Sequence, residues 1–374
     1  MKNFILTILF ISILISSAQA QQKPKIVIGI VVDQMRTDYI SRYWNKFGEG
    51  GFKRLVKDGY NCRNTQYNYV PTFTGPGHAS IYTGTTPSYH GIVANDWYDQ
   101  KNRDTVYCVQ DDSVRSIGGD VEAGKMSPAR LLTTTITDEL HLSTQGKSKV
   151  IGVSLKDRGA ILPAGRAANA AFWYDGKSGN WISSSWYMNE LPKWASDFND
   201  RKWPNEYLSK PWTTLLNIDR YTESDPDNNA YEATYLGEEK PVFPHDLPSL
   251  RGKSFDLVRR TPFGNTLTKD FAIASIKGED LGRDSITDFL CISFSATDYV
   301  GHQFGPMAIE TEDTYLRLDR DLADLFQFLD NNFGKGKYLV FLTADHAAEY
   351  NPKSLMDQKL YAGIGEPKAL TDSV

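Results

Sequence analysis

The stretch IVIGIVVD, residues 26–33, is an unbroken run of Ile, Val and Gly closed by a carboxylate. Such a run reads as a strand buried on both faces, the kind a parallel sheet requires. Two more runs behave alike. FLCISFSATDYVGH (289–302) passes into Asp298 and His302, and YLVFLTADH (338–346) closes on Asp345 and His346. Parallel strands bring their carboxyl ends to one edge, where open α/β sheets place their sites. Asp33, Asp298, His302, Asp345 and His346 are therefore expected together. Three carboxylates and two imidazoles crowded in one place repel or stay desolvated unless a cation joins them. A metalloenzyme is the leading reading.

Each motif alone is weak. Asp33 could cap the next helix, and a lone Asp-x-x-x-His is more often a solvated Asp with a capping His. The force lies in three separate strand ends finishing in ligand types. Oxygen and nitrogen donors without thiolate fit catalytic zinc, with manganese or magnesium less favoured by two imidazoles. Five such ligands exceed one tetrahedral catalytic site, so a pair of ions about 4 Å apart is expected.

Such a site needs a nucleophile, and Thr74 is the leading candidate. It lies in PTFTGPGH (71–78), where glycines permit a sharp turn and the helix expected after it offers N–H groups to an anion. A hydroxyl is a poor nucleophile at neutral pH unless a dication lowers its pKa. Thr72 and Ser80 are less well placed rivals, and without the metal ligands a structural Thr in a turn would be preferred. Asn95 can donate an amide hydrogen bond to a phosphoryl oxygen. Lys156 and Arg158 follow the apolar run Lys149–Leu155, so their cations also fall at a strand's carboxyl end. Arg grips two oxygens at once and Lys adds a point charge. The alternative for Lys-Asp-Arg is a solvated loop.

The rest of the chain alternates strands and helices, as a doubly wound α/β fold with a mainly parallel sheet and helices on both faces does. A helix is expected over Asp38–Lys57 and another over 311–332, whose apolar positions recur at helical spacing. Residues 61–73 read as irregular. Six of the eight tryptophans fall between Trp173 and Trp212. Residues 161–250 have poor periodicity and read either as a cap inserted over the ligand edge or as an internally packed, loop-rich subdomain.

Composition sets the surroundings. Residues 1–20 read as a secretory signal peptide: Lys2, an apolar stretch from Phe4 to Ile15, and an Ala18-x-Ala20 cleavage pattern. The apolar core is too short to span a bilayer, so no stable membrane anchor is expected and the chain is placed in the periplasm or outside the cell. Residues 21–374 carry a net charge of −6 with no Lys/Arg tract, which argues against nucleic acid as a partner. A monomer acting on small molecules is expected. Of the three cysteines, Cys291 reads as a buried thiol, while Cys62 and Cys108 could pair in an oxidising compartment.

Taken together and in this order, VVDQMR (31–36), PTFTGPGHASIYTG (71–84), IVANDW (92–97), SLKDR (154–158), SATDYVGH (295–302) and TADH (343–346) resemble the alkaline phosphatase superfamily. The resemblance covers most of residues 21–374. It is strongest to the secreted threonine-nucleophile alkaline phosphatases, relatives of the type I phosphodiesterases/nucleotide pyrophosphatases. It implies an alkaline phosphatase-like fold and zinc-dependent hydrolysis of phosphate monoesters through a phosphothreonine at Thr74. By the resemblance, one zinc takes Asp33, Asp345, His346 and Thr74, and the other takes Asp298 and His302. Asn95, Lys156 and Arg158 would hold the phosphoryl oxygens. The Lys/Arg pair follows the monoesterase pattern, which diesterase relatives generally lack.

Two departures stand out. The family draws a further zinc-binding His from a segment well beyond Asp-His, and commonly has Gly where this chain has Ala347. No histidine follows His346, so a catalytic domain incomplete at its C-terminus is expected, with one zinc short of a ligand. The rival readings are a phosphodiesterase or nucleotide pyrophosphatase on the same scaffold, and a truncated, inactive phosphate-binding protein. A sulfatase is disfavoured because no Cys/Ser-x-Pro-x-Arg motif is present.

Overall fold

The computed structural model describes residues 23–365. The signal-peptide reading of residues 1–20 lies outside the described residues. The strands among the described residues are β1 (Ile26–Val32), β2 (Asp96–Asp99), β3 (Asp104–Tyr107), β4 (Ser116–Ile117), β5 (Val150–Ser154), β6 (Ala170–Asp175), β7 (Asn180–Ser184), β8 (Asp288–Phe294) and β9 (Tyr338–Thr343). Seven of them form one sheet in the order β4-β7-β6-β5-β8-β1-β9, and β2 pairs with β3 as a separate hairpin. β6, β5, β8, β1 and β9 run parallel, while β7 and β4 continue the sheet antiparallel.

The apolar run at residues 26–32 forms β1, flanked by β8 and the edge strand β9. Alternation along β1 sends Ile26, Ile28, Ile30 and Val32 to one face, where they join Phe271 and Leu322 in the largest core. Val31 faces the other side with Tyr82 and Phe289. The helices Phe263–Gly278 and Ile309–Phe333 cover the first face, and Thr74–Thr83 and Asp157–Ala164 lie on the other. Register, more than composition, positions the site. Val32 pairs with Phe294 and Val31 with Thr343, so the three strands finish almost level.

Three expectations need correction. The helix expected over Asp38–Lys57 is two, Asp38–Arg42 and Phe52–Asp58. The break falls at the glycines 48, 50 and 51, where helix propensity is poorest. There the Asp319 carboxylate accepts from Gly48 N (2.7 Å) and Phe52 N (2.8 Å) in place of helical carbonyls. The expected turn at Thr74–His78 is itself the first turn of the helix Thr74–Thr83. Pro76 is tolerated because the first N–H groups of a helix have no intrahelical partner.

Residues 161–250 are not one inserted cap. β6 and β7 belong to the main sheet, and Trp173 and Trp181 on them are buried, Trp181 stacking on Phe271 with ring centres 4.3 Å apart. The segment beyond β7 is irregular but anchored. The Asp313 carboxylate accepts from Trp212 Nε1 (2.7 Å), Leu215 N (2.6 Å), Tyr221 OH (2.5 Å) and Arg317 Nε (2.6 Å). The tryptophans thus act chiefly as packing. Cys62, Cys108 and Cys291 are all free thiols, Cys62 exposed and the others buried.

Candidate active site

The level strand ends deliver their side chains as the sequence implied. Asp33, Asp345 and His346 offer ligand atoms all within 4.8 Å of one another. His346 Nε2 lies 3.4 Å from Asp33 Oδ1 and 3.7 Å from Asp345 Oδ2. Its Nδ1 is 3.0 Å from the Ala347 carbonyl, which can only accept, so the proton sits on Nδ1 and the Nε2 lone pair faces the carboxylates. Thr74 Oγ1 stands 3.5 Å from that same Nε2.

Asp298 and His302 come from the helix Ala296–Phe304 that follows β8. Their spacing of four places them on one helical face, and His302 Nε2 is 3.2 Å from Asp298 Oδ1. His302 is the exposed member, with 70 % of its side chain open to solvent.

Lys156 joins the two groups. Its ammonium lies 2.7 Å from Asp33 Oδ2, 2.5 Å from Asp298 Oδ2 and 3.3 Å from Thr74 Oγ1. Asn95 Oδ1 accepts from Gly75 N at 2.7 Å, which fixes the amide and leaves its NH2 to donate elsewhere. Arg158 donates from Nη1 to Tyr107 OH at 3.0 Å, and Tyr107 OH in turn donates to Asp157. Thr74, Asn95, Lys156, Arg158, Asp298, His302 and His346 line an open cavity of about 410 Å³.

The electrostatics show the crowding. Burial raises Asp33 well above the usual carboxylate range, Asp298 and Asp345 raise it further, and Lys156 pulls against them. Burial also raises Asp298, but Lys156 and His302 outweigh it and hold it below that range. Asp345 is raised by burial and brought down further by His78, His346 and Lys156. Three buried carboxylates thus share one ammonium. Neither oxygen of Asp33 nor Oδ2 of Asp345 receives a well-aligned hydrogen bond, although Lys156 stands close to the first. Unsatisfied buried carboxylate oxygens beside an imidazole lone pair are a donor set that suits a hard or borderline dication. The Asp33/Asp345/His346 group fits a metal ion. Asp298 and His302 supply two donors next to it.

Sequence reasoning missed three residues. Gln34, at a positive φ of 64°, donates from its backbone N to Asp345 Oδ1 (3.1 Å) and from Nε2 to Asp298 Oδ1 (2.9 Å), tying the two groups together. His78 points Nδ1 at the Thr74 carbonyl (2.9 Å) and at Asp345 Oδ2 (3.3 Å), while its Nε2 accepts from Ser293 Oγ (2.9 Å). Gly77 has no side chain because none fits: a Cβ there would stand 2.6 Å from Asp345. Their signal lay inside the motifs VVDQMR and PTFTGPGHASIYTG, where Gln34 adjoins Asp33 and His78 sits one turn after Thr74.

The sequence profile of the type I phosphodiesterase / nucleotide pyrophosphatase family matches residues 27–362. Alkaline phosphatase PafA of Elizabethkingia meningoseptica is 49% identical over 367 residues, covering 97% of this chain and 67% of the relative. Alkaline phosphatase PhoV of Synechococcus elongatus is 50% identical over 340 residues, 91% of this chain and 62% of the relative. A protein of Myroides odoratus named a calcium-transporting ATPase is 50% identical over 364 residues, 96% of this chain and 66% of the relative. The chain thus spans about two thirds of the length of the curated relatives it matches. The crystal structure of wild-type PafA superposes with a TM-score of 0.92 at 50% identity, over 94% of this chain and 68% of that one. Among the described residues no helix is long and apolar enough to cross a membrane.

Proposed function

Because this chain belongs to the type I phosphodiesterase / nucleotide pyrophosphatase family, we propose that it is an exported, monomeric phosphatase that hydrolyses small phosphate monoesters through a phosphothreonine at Thr74. The observation that carries the reading is the placement of Thr74. Its hydroxyl opens a helix, lies 3.3 Å from an ammonium, and abuts the Asp33/Asp345/His346 group. Two relatives of about 50% identity named as alkaline phosphatases support it. A PafA variant of known structure is described by substitutions at a threonine, an asparagine, a lysine and an arginine, the types of Thr74, Asn95, Lys156 and Arg158 in the same chain order.

Asp33, Asp345, His346 and Thr74 would hold one zinc ion, and Asp298 with His302 would contribute to a second. Zinc supplies a Lewis acid that favours the ionised threonine hydroxyl and offsets charge on the phosphoryl oxygens.

The chain's own groups do the positioning. Thr74 Oγ1 attacks phosphorus in line while the ester oxygen leaves, and a water later reverses the step to release phosphate. Lys156 donates toward Oγ1 and so favours its oxyanion. The Asn95 NH2 would meet the transferred oxygens, and Arg158 offers a fork that matches two of them. Three such donors suit a dianionic monoester better than a diester, which presents one charge fewer. The diesterase reading is separated by assaying p-nitrophenyl phosphate beside its bis ester. Lys156→Ala with Arg158→Ala is expected to lower kcat/KM for the monoester far more than for the diester. An equal loss on both would reject the monoesterase assignment.

A further inference from the structure

A second, larger cavity of about 690 Å³ adjoins the reaction site, and Lys156 and Arg158 line both. It opens past the carboxyl ends of β5 and β6, against the short helix Phe255–Arg260. Its volume falls within the ~300–1,000 Å³ usual for small-molecule pockets. The wall combines the ring of Tyr299 with Lys177, Lys253 and Arg259 in addition to the two shared cations. Lys156 and Arg259 pack on that one ring from 5.2 and 5.9 Å, so the cations of the two cavities meet at Tyr299.

The acids of this wall are already engaged. Asp256 pairs with Arg259 Nη1 at 2.9 Å, and Asp157 accepts from Tyr107. Asp175 accepts from Asp120 N (3.1 Å), Lys177 N (3.0 Å) and Ser178 Oγ (2.6 Å). Lys177 pairs with Asp120 at 3.1 Å and Arg259 Nη2 donates to the Tyr174 carbonyl, but the cations keep unpaired donors. The Nε groups of Arg158 and Arg259 are buried without an acceptor, and the Lys253 ammonium has no ion-pair partner among the described residues. Five cations face three engaged acids across this wall, so an anion in the cavity gains charge-assisted hydrogen bonds. A neutral acceptor gains less there, and a cation is repelled.

We infer that this cavity receives the leaving group of substrates that carry a second phosphate, making small bisphosphorylated molecules the preferred esters. The inference rests on the reading that the transferred phosphoryl sits at Thr74, on the other side of Lys156 and Arg158. Arg259 and Lys253 grip the second phosphate, and they act on specificity without touching the reacting atoms.

The test compares n-propyl phosphate with propane-1,3-diyl bisphosphate, esters with matched alkyl leaving groups. Lys253→Ala removes an unpaired side chain and leaves the core intact. It is expected to lower kcat/KM for the bisphosphate about tenfold, while the propyl ester changes by less than about twofold. Arg259→Lys, which keeps the charge and loses the fork, should show the same selectivity. Equal changes on both esters, or none on either, overturn the inference while leaving the phosphatase reading intact. Should the parent chain turn over neither ester, that reading fails separately. The cavity is then tested by calorimetry with methylenebisphosphonate. Weaker binding to Lys253→Ala supports the inference. Unchanged binding, or none to the parent, overturns it.

Discussion

Replacing Gly77 by alanine sets helix propensity against site geometry. Alanine in a helix interior normally gains about 0.5–1 kcal/mol over glycine. Here the new Cβ would stand 2.6 Å from both the Cβ and the carbonyl oxygen of Asp345, and 2.9 Å from its Cα. Ordinary contact begins at 3.4 Å, so helix and strand end must part by about 0.8 Å. The neighbours are backbone and Cβ atoms, which cannot swing aside as a side-chain tip can. Overpacking of this kind costs about 1–3 kcal/mol, so the helix gain is erased and a net loss of about 1–2 kcal/mol remains. At about 2–4 °C per kcal/mol, the melting temperature should fall by roughly 2–8 °C. The effect on turnover should be larger, because Thr74 lies three residues away on the same helix. A misplacement near 1 Å between reacting groups costs on the order of 10²-fold in rate. Thermal unfolding and p-nitrophenyl phosphate turnover of Gly77→Ala measure both. A variant that melts higher and keeps the parent rate would refute the argument that this contact sets the site.

Three further outcomes are expected. Asp313→Ala strips a buried acceptor from four donors, leaving Trp212 Nε1, Leu215 N and the Tyr221 hydroxyl without one while Arg317 keeps the Thr213 carbonyl; a loss of about 3–5 kcal/mol should appear as a lower urea midpoint, and an unchanged midpoint would reject the anchor. His90 is buried, donates from Nε2 to Ser80 Oγ and accepts from Ile92 N, and burial lowers its pKa from 6.5 to about 4. The unfolded chain therefore binds more protons between those values, so its stability contribution is complete above pH 6.5 and is lost as pH falls toward 4, about 2 kcal/mol once solvent screening is allowed for; His90→Asn should flatten that limb of melting temperature against pH, and parallel curves would contradict it. Chelation should abolish turnover and zinc should restore it, whereas full activity after exhaustive chelation would remove the metal from the account.

The sequence made some parts of this molecule legible and hid others for definite reasons. β1 and β8 could be read because strands buried on both faces need continuous apolar runs; β9 carries the same kind of run although it is half-exposed at the sheet edge among the described residues, and the terminal ligands followed from parallel direction. The break between Arg42 and Phe52 was hidden because the aromatic period continues across it, while the glycines and the distant Asp319 decide the backbone. The tryptophan-rich segment suggested a cap because composition does not reveal that Trp173 and Trp181 lie on paired strands of the main sheet. Lys156, Arg158 and Asn95 could be named as anion holders. That Lys156 bridges Asp33 and Asp298 could not be read, because those partners lie more than 100 residues away in opposite directions. Gln34 and His78 sit inside motifs that were read, but their roles were passed over for the same reason: the carboxylates they hold, Asp298 and Asp345, are more than 200 residues away in sequence.

Covalent phosphorylation of Thr74 during turnover is the step on which the mechanism stands. Acid quenching of the enzyme during steady-state hydrolysis, followed by peptide mass spectrometry, reads it directly. Phosphate is expected on the Thr74 hydroxyl and absent from Thr74→Ala, which should also lose turnover while retaining bound zinc. A parent enzyme that turns over with phosphate on Thr72, on Ser80 or on no residue, or a Thr74→Ala variant at the parent rate, would contradict it.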